Sequence, residues 1–183
     1  MPATCQTTPQ EDKPDFREFE STPRPVFVYG TLCANRLLAW VLTGDASNAD
    51  VVSQLVRPAR VAGFSRFAVR DADYPAAIKD DNTSATVNGN LVEIQAVSQR
   101  RRLDDFEGDL YTAVPVCVSL LDDSGNPRGE TISADMYIWN EHEDCLSTEP
   151  WDLDVFIAER LEDWLDLFDG MELTGEETIS QVA

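Results

Sequence analysis

Histidine occurs once in the 183-residue chain, at position 142, and the cysteines at positions 5, 33, 117 and 145 form no C-x-x-C pair. Zinc sites combine Cys and His at short spacings, so no metal centre is expected, and no motif calls for a cofactor. Basic residues are scarce too: 14 Lys and Arg stand against 34 Asp and Glu, a net charge of -20 with a pI near 4.1. A field of that sign repels phosphate backbones and anionic lipid, so neither nucleic acid nor a membrane surface is an expected partner. No apolar run approaches the ~20 residues that a membrane helix needs. The stretch from Met1 to Pro14 lacks the charged start and apolar middle of a signal peptide. Free thiols in a reducing cytosol are the matching expectation, which makes the protein cytoplasmic.

What is present suits one globular domain, because 43% of the residues are hydrophobic and disorder would show far fewer. Residues 1–24, rich in Pro, Thr, Glu and Asp, read as a flexible leader whose end Phe16 and Phe19 are placed to pin; residues 171–183 read as a polar tail. Between them lies a domain over 25–170. It opens with the β-prone run Val26-Phe27-Val28-Tyr29, which ends at Gly30 and gives way to a helical stretch from Ala34 to Leu42. Val56 to Val69 reads as strand around Gly63, and Thr86 to Ile94 as strand with a turn or bulge at Asn88-Gly89. Asp73 to Ile78 is extended or turning, since Tyr74 precedes a proline.

Ser98 is a candidate N-cap for a helix that runs to Phe106 and stops at Gly108. Val114 to Leu121 and Thr131 to Trp139 form a hairpin about the turn cluster 122–127. Leu153, Phe156, Ile157, Leu161, Trp164, Leu165 and Phe168 recur at helical spacing and predict one closing helix. Short strands with interspersed helices, without regular βαβ alternation, indicate an α+β domain with a curled or closed sheet.

Two segments carry chemistry. On a helix, Leu103, Phe106 and Glu107 share a face while Asp104 and Asp105 turn outward, which singles out one acid among three. A carboxylate on an apolar face is costly to ionise, and its raised pKa suits proton transfer near neutral pH. A helix-end glutamate bending to solvent at Gly108 satisfies the same spacing. In the first segment, Gly30 stands where strand becomes helix, so the amides of Gly30, Thr31 and Leu32 can converge on an anion or a polarised carbonyl, or simply form a strand-exit turn. Tyr111, Tyr137 and Trp139 suit a pocket wall or plain core. Cys33 has no histidine nearby in sequence and reads as a packed thiol, and Arg100, Arg101 and Arg102 read as a solvated helix face rather than an anion site.

In order and spacing, Phe27-Val28-Tyr29-Gly30-Thr31-Leu32, Tyr74-Pro75-Ala76, Leu103-Asp104-Asp105-Phe106-Glu107-Gly108, Tyr111, Met136-Tyr137-Ile138-Trp139 and Pro150-Trp151-Asp152-Leu153 make the chain resemble the γ-glutamylcyclotransferase-like family. The likeness is to the branch of plant and fungal avirulence-induced-gene-like proteins and γ-glutamylamine cyclotransferases, over about residues 26–168. The resemblance implies a small mixed β-barrel flanked by helices, with a pocket at one opening. It implies that Tyr29, Gly30, Thr31 and Leu32 hold the glutamyl end of a γ-glutamyl substrate, that Glu107 transfers protons, and that Tyr111 and Tyr137 line the pocket. The implied reaction converts a γ-glutamyl-amine or γ-glutamyl-amino acid to 5-oxoproline and a free amine, without a cofactor.

Members of that family commonly carry a basic residue two positions after the tyrosine that follows the catalytic glutamate; here that position is Ala113, and Cys33 replaces a larger apolar residue. These departures leave room for a second reading, a protein that binds a small amide or amino acid without turning it over. A third, a stress-induced interaction protein using its acidic surface, rests on charge alone.

Overall fold

The fold is that of a computed structural model, which describes residues 22–173. The leader through residue 21, with Phe16 and Phe19, and residues 174–183 lie outside the described residues. The first strand explains the architecture. In β1 (Val26–Val28) alternation sends Val26 and Val28 to the helical layer, while Phe27 and the following Tyr29 enter a separate cluster inside a barrel. A strand buried on both faces reads as a continuous apolar run.

After β1 come α1 (Asn35–Thr43), α2 (Ala49–Ser53), β2 (Val56–Ala62), β3 (Phe64–Val69), β4 (Pro75–Lys79) and β5 (Thr86–Val92). They are followed by α3 (Val97–Glu107), β6 (Tyr111–Leu121), β7 (Pro127–Trp139), β8 (Leu146–Ser147), α4 (Leu153–Glu159) and α5 (Leu161–Phe168). Strands β1, β5, β2, β6 and β7 close a barrel in that order, while β4, β3 and β8 form a small second sheet. Barrel pairings are antiparallel except where β7 meets β1 in parallel, so the barrel is mixed. The expected α+β class and the small barrel flanked by helices are what the chain adopts.

Local expectations fare differently. The 122–127 turn joins β6 and β7 as a hairpin, with both strands extending beyond the expected limits. Asn88-Gly89 is neither turn nor bulge: β5 pairs with β2 without interruption from Val92 to Thr86. Gly89 is needed because the end of the paired strand β1 approaches it closely; a Cβ there would stand 2.1 Å from the Val28 carbonyl oxygen. Ser98 does not cap α3, which begins after Ala96 and has no side-chain cap. Gln99 takes up that end instead, its Oε1 accepting from the Gln95 N–H at 2.9 Å.

The arginines of α3 are not a merely solvated face. Arg102 donates to the carbonyls of Val41 at 2.6 Å and Trp40 at 3.3 Å, satisfying the C-terminal end of α1, and to Leu173 at 3.3 Å. Arg100 pairs with Asp104 and Asp135. The expected closing helix is divided at Arg160, whose backbone (φ -125°, ψ -25°) leaves the helical region, and Ile157 is 41% exposed rather than buried. Asp73 anchors the break and the start of α5. Its carboxylate accepts from Arg160 Nε at 3.0 Å and Trp164 Nε1 at 3.1 Å, and its carbonyl accepts from Trp151 Nε1 at 2.7 Å.

Candidate active site

A cavity of about 300 Å³ opens where the end of β1, the end of α3 and helix α5 meet. Tyr29, Gly30, Thr31, Leu32, Glu107, Tyr111 and Tyr137, singled out from the sequence, all line it.

The turn is built by a single 3-10 turn, Thr31–Cys33, set directly on the strand. Its first hydrogen bond runs from the Cys33 N–H to the Gly30 carbonyl at 2.9 Å. The preceding N–H groups, those of Thr31 and Leu32, have no backbone acceptor among the described residues, as the start of any helix dictates. Gly30 is required for space rather than for an unusual φ, which is -124°. A Cβ there would stand 2.8 Å from Cγ of Pro75, at the edge of the second sheet.

Tyr29 binds the layers together below the turn. Its hydroxyl donates to the Tyr137 carbonyl at 2.8 Å and accepts from the Ala77 N–H at 3.2 Å. Burial pushes its phenol well above the usual tyrosine range, with the nearby Glu107 carboxyl acting the same way. The Arg66 guanidinium donates to the Tyr29 carbonyl at 2.7 Å, fixing the strand's exit from behind.

Glu107 is the last residue of α3, and Gly108, at φ +59°, turns the chain away after it. Its helix neighbour Leu103 is fully buried and Phe106 packs on the helical core, which leaves Glu107 at the cavity on the same face. The residue keeps partial solvent contact, but the walls around its carboxyl withhold water. Desolvation, reinforced by the charge of Asp104, raises its pKa from 4.5 to about 8. The alternative of a glutamate bending out to solvent does not hold.

Asp104 and Asp105 are exposed as residues but do not simply turn outward. The Tyr137 hydroxyl donates to Asp104 Oδ1, which also pairs with Arg100 Nε at 3.0 Å, and Asp105 lines the cavity. The Arg100 guanidinium lies over the Tyr137 ring at 5.8 Å. Tyr111 donates to the Pro75 carbonyl at 2.9 Å and meets the rings of Tyr74 and Trp139 edge-on. Tyr111 and Tyr137 therefore spend their hydroxyls on the protein, and both border the cavity. Trp139 is 9% exposed, donates to the His142 carbonyl and belongs to the core rather than the cavity wall. Ala113 is exposed and pairs with Tyr137 across the hairpin. Cys33 is not activated: burial raises its thiol to about 12, despite the opposing charge of Arg66.

Sequence reasoning missed the far wall. Trp40, Trp164, Phe168, Met171 and Leu173 also face the cavity. On spacing alone Trp164 and Phe168 belong to a helix core and residues 171–173 to the tail; helical periodicity marks an apolar stripe without distinguishing what covers it.

The family model for γ-glutamyl cyclotransferase, AIG2-like, matches residues 26–153. Protein AIG2 C of Arabidopsis thaliana is 27% identical over 143 residues, 78% of this chain and 78% of that protein. Among solved structures, the solution structure of At3g28950.1 from Arabidopsis thaliana covers 82% of this chain and 84% of its own, with TM-score 0.53 and 23% identity. That of At5g39720.1 from the same plant covers 81% and 90%, with TM-score 0.52 and 19% identity. The structural likeness establishes the shared fold, and the family match spans the barrel, the turn and Glu107. The chain belongs to the AIG2-like γ-glutamyl cyclotransferase family.

Proposed function

We propose that the protein is a γ-glutamyl cyclotransferase that converts a γ-glutamyl-amine or γ-glutamyl-amino acid to 5-oxoproline and a free amine. The observation that carries this reading is that Glu107, with a proton affinity shifted to near neutrality, shares one small cavity with the open amides of the 30–32 turn.

The glutamyl portion of the substrate binds at the turn, its charge or carbonyl oxygen met by the N–H groups of Thr31 and Leu32. The Glu107 carboxylate accepts a proton from the neutral α-amino group as its nitrogen bonds to the γ-carbonyl carbon. The tetrahedral intermediate then expels the amide nitrogen, and Glu107 returns the proton to the departing amine. One C–N bond forms, one breaks, and no water is consumed. Because nucleophile and target belong to one molecule, holding the folded conformer supplies much of the rate, with effective molarities on the order of 10⁵ M or more for well-oriented intramolecular reactions.

A pKa of about 8 suits both halves of this exchange, since an ordinary glutamate, a far weaker base, would take the proton much less readily than it returned it. Incubation of the purified protein with a panel of γ-glutamyl compounds, followed by chromatographic detection of 5-oxoproline, tests the proposal. Turnover by the wild type that falls roughly 10²-fold or more in Glu107→Gln is the expected result. Equal turnover in the variant removes Glu107 from the mechanism.

Ala113 favours weighing a second reading, binding without turnover, because no Lys or Arg side chain lines the cavity among the described residues. Compounds that raise the melting temperature yet yield no 5-oxoproline would support that reading.

A further inference from the structure

Beyond the glutamyl end, the cavity has a wall of its own. Trp40, Phe106, Trp164, Phe168, Met171 and Leu173 close the side contributed by the helices. Their rings are interlocked: Phe168 stacks on Trp40 at 4.8 Å and meets Phe106 at 6.1 Å and Trp164 at 5.7 Å. Trp164 turns its one polar atom away, since Nε1 donates to Asp73, and so presents hydrocarbon inward. Phe106 precedes Glu107 in the chain, which sets this surface beside the carboxyl that would protonate the leaving amine. Trp164, Phe168, Met171 and Leu173 all lie beyond residue 153, where the family match ends.

Charge in the cavity argues against an acidic leaving group, while the apolar wall is what disfavours a cation. Among the described residues its carboxyl groups are those of Asp105 and Glu107, and no Lys, Arg or His side chain lines it. A leaving group that carried its own carboxylate would lose water without gaining a cation. An apolar group would lose water against rings built to receive it. The cavity volume, at the lower end of the ~300–1,000 Å³ of small-molecule sites, favours a compact group.

The geometry points to a leaving amine that is uncharged and apolar, aromatic or branched, seated on the Trp164–Phe168 wall, so that γ-glutamyl amides of such amines are preferred over γ-glutamyl amino acids. This rests on the cyclotransferase reading, and the test separates the two. The probes are γ-glutamylphenethylamide, γ-glutamylphenylalanine, which adds only a carboxylate, γ-glutamylmethylamide, which lacks the ring, and γ-glutamyl-1,4-diaminobutane, which replaces the ring with a cation.

Wild-type kcat/KM for 5-oxoproline release should be about 10-fold or more higher for the phenethylamide than for each of the others, within the ~10–200-fold that apolar pockets achieve. Met171 is 55% exposed and tolerates change, so Met171→Arg should narrow the gap to the phenylalanine compound about 5-fold or more by supplying a cation at the cavity edge. Equal or better turnover of the phenylalanine, methyl or diaminobutane compound overturns the inference and leaves the cyclotransferase reading standing. If no compound reacts, the cyclotransferase reading fails, and calorimetric Kd values for the same probes decide the inference. A 10-fold tighter phenethylamide supports it; equal binding, or none, overturns it.

Discussion

Replacing Glu107 by Gln should make the protein more stable, by an amount that grows with pH. The folded chain holds the Glu107 proton up to about pH 8, whereas in the unfolded chain the same carboxyl releases it near 4.5. Below pH 4.5 both states are protonated and the group contributes nothing to the pH dependence. Between 4.5 and 8 the unfolded state binds fewer protons, so stability falls as pH rises; above 8 the full penalty for ionising the enclosed carboxyl is present.

Raising the value from 4.5 to about 8 sets a ceiling of roughly 5 kcal/mol at ~1.36 kcal/mol per decade. Partial solvent contact screens part of this, which brings the expected penalty to about 2 kcal/mol. Glutamine fills nearly the same volume and carries no titrating proton. Urea denaturation of both proteins at pH 5, 7 and 9 isolates the effect, because the many surface acids contribute equally to each. The variant should match the wild type near pH 5 and exceed it by about 2 kcal/mol at pH 9. A difference that stays flat across that range would mean that the carboxyl is hydrated as in an open chain, and the basis for its catalytic role would be lost.

Wild-type kcat/KM should still be rising with pH through about 8, since the reaction starts from the Glu107 carboxylate and a neutral substrate amine; a profile that levels off near 5 would contradict the shift. Tyr29→Phe leaves the Tyr137 carbonyl and the Ala77 N–H without their shared partner and should cost about 1–3 kcal/mol in denaturant titration. Gly89→Ala drives a methyl group into the Val28 carbonyl and should cost ~3 kcal/mol or more, read as a collapse in melting temperature. Asp73→Ala releases Arg160 and Trp164, so the α5 wall should loosen and KM rise several-fold with a smaller change in kcat; unchanged KM would show that the wall stands without this anchor.

How far the sequence reaches can be judged element by element. The run from Val26 to Tyr29 declares a buried strand, and the hairpin about 122–127 is written in its turn residues, because both signals are local. Gly89 misleads as a turn signal because its reason lies in the end of β1, distant in the chain, whose backbone approaches it closely. Ser98 fails as a cap because the helix begins earlier, after Ala96, which leaves Ser98 inside it. The closing helix breaks at Arg160, and Asp73, far away in the chain, holds the side chains of Arg160 and of Trp164 in α5.

Helical spacing by itself places Glu107 on an apolar face and the 30–32 amides at a strand exit, since periodicity and chain reversal are properties of adjacent residues. That the carboxyl and the amides border one cavity, that its water is thin enough to lift a pKa, and that Trp164 and Phe168 close the opposite side were decided only when barrel and helices packed. Solvation and proximity between distant segments are set by the whole surrounding volume, and no window of sequence contains it.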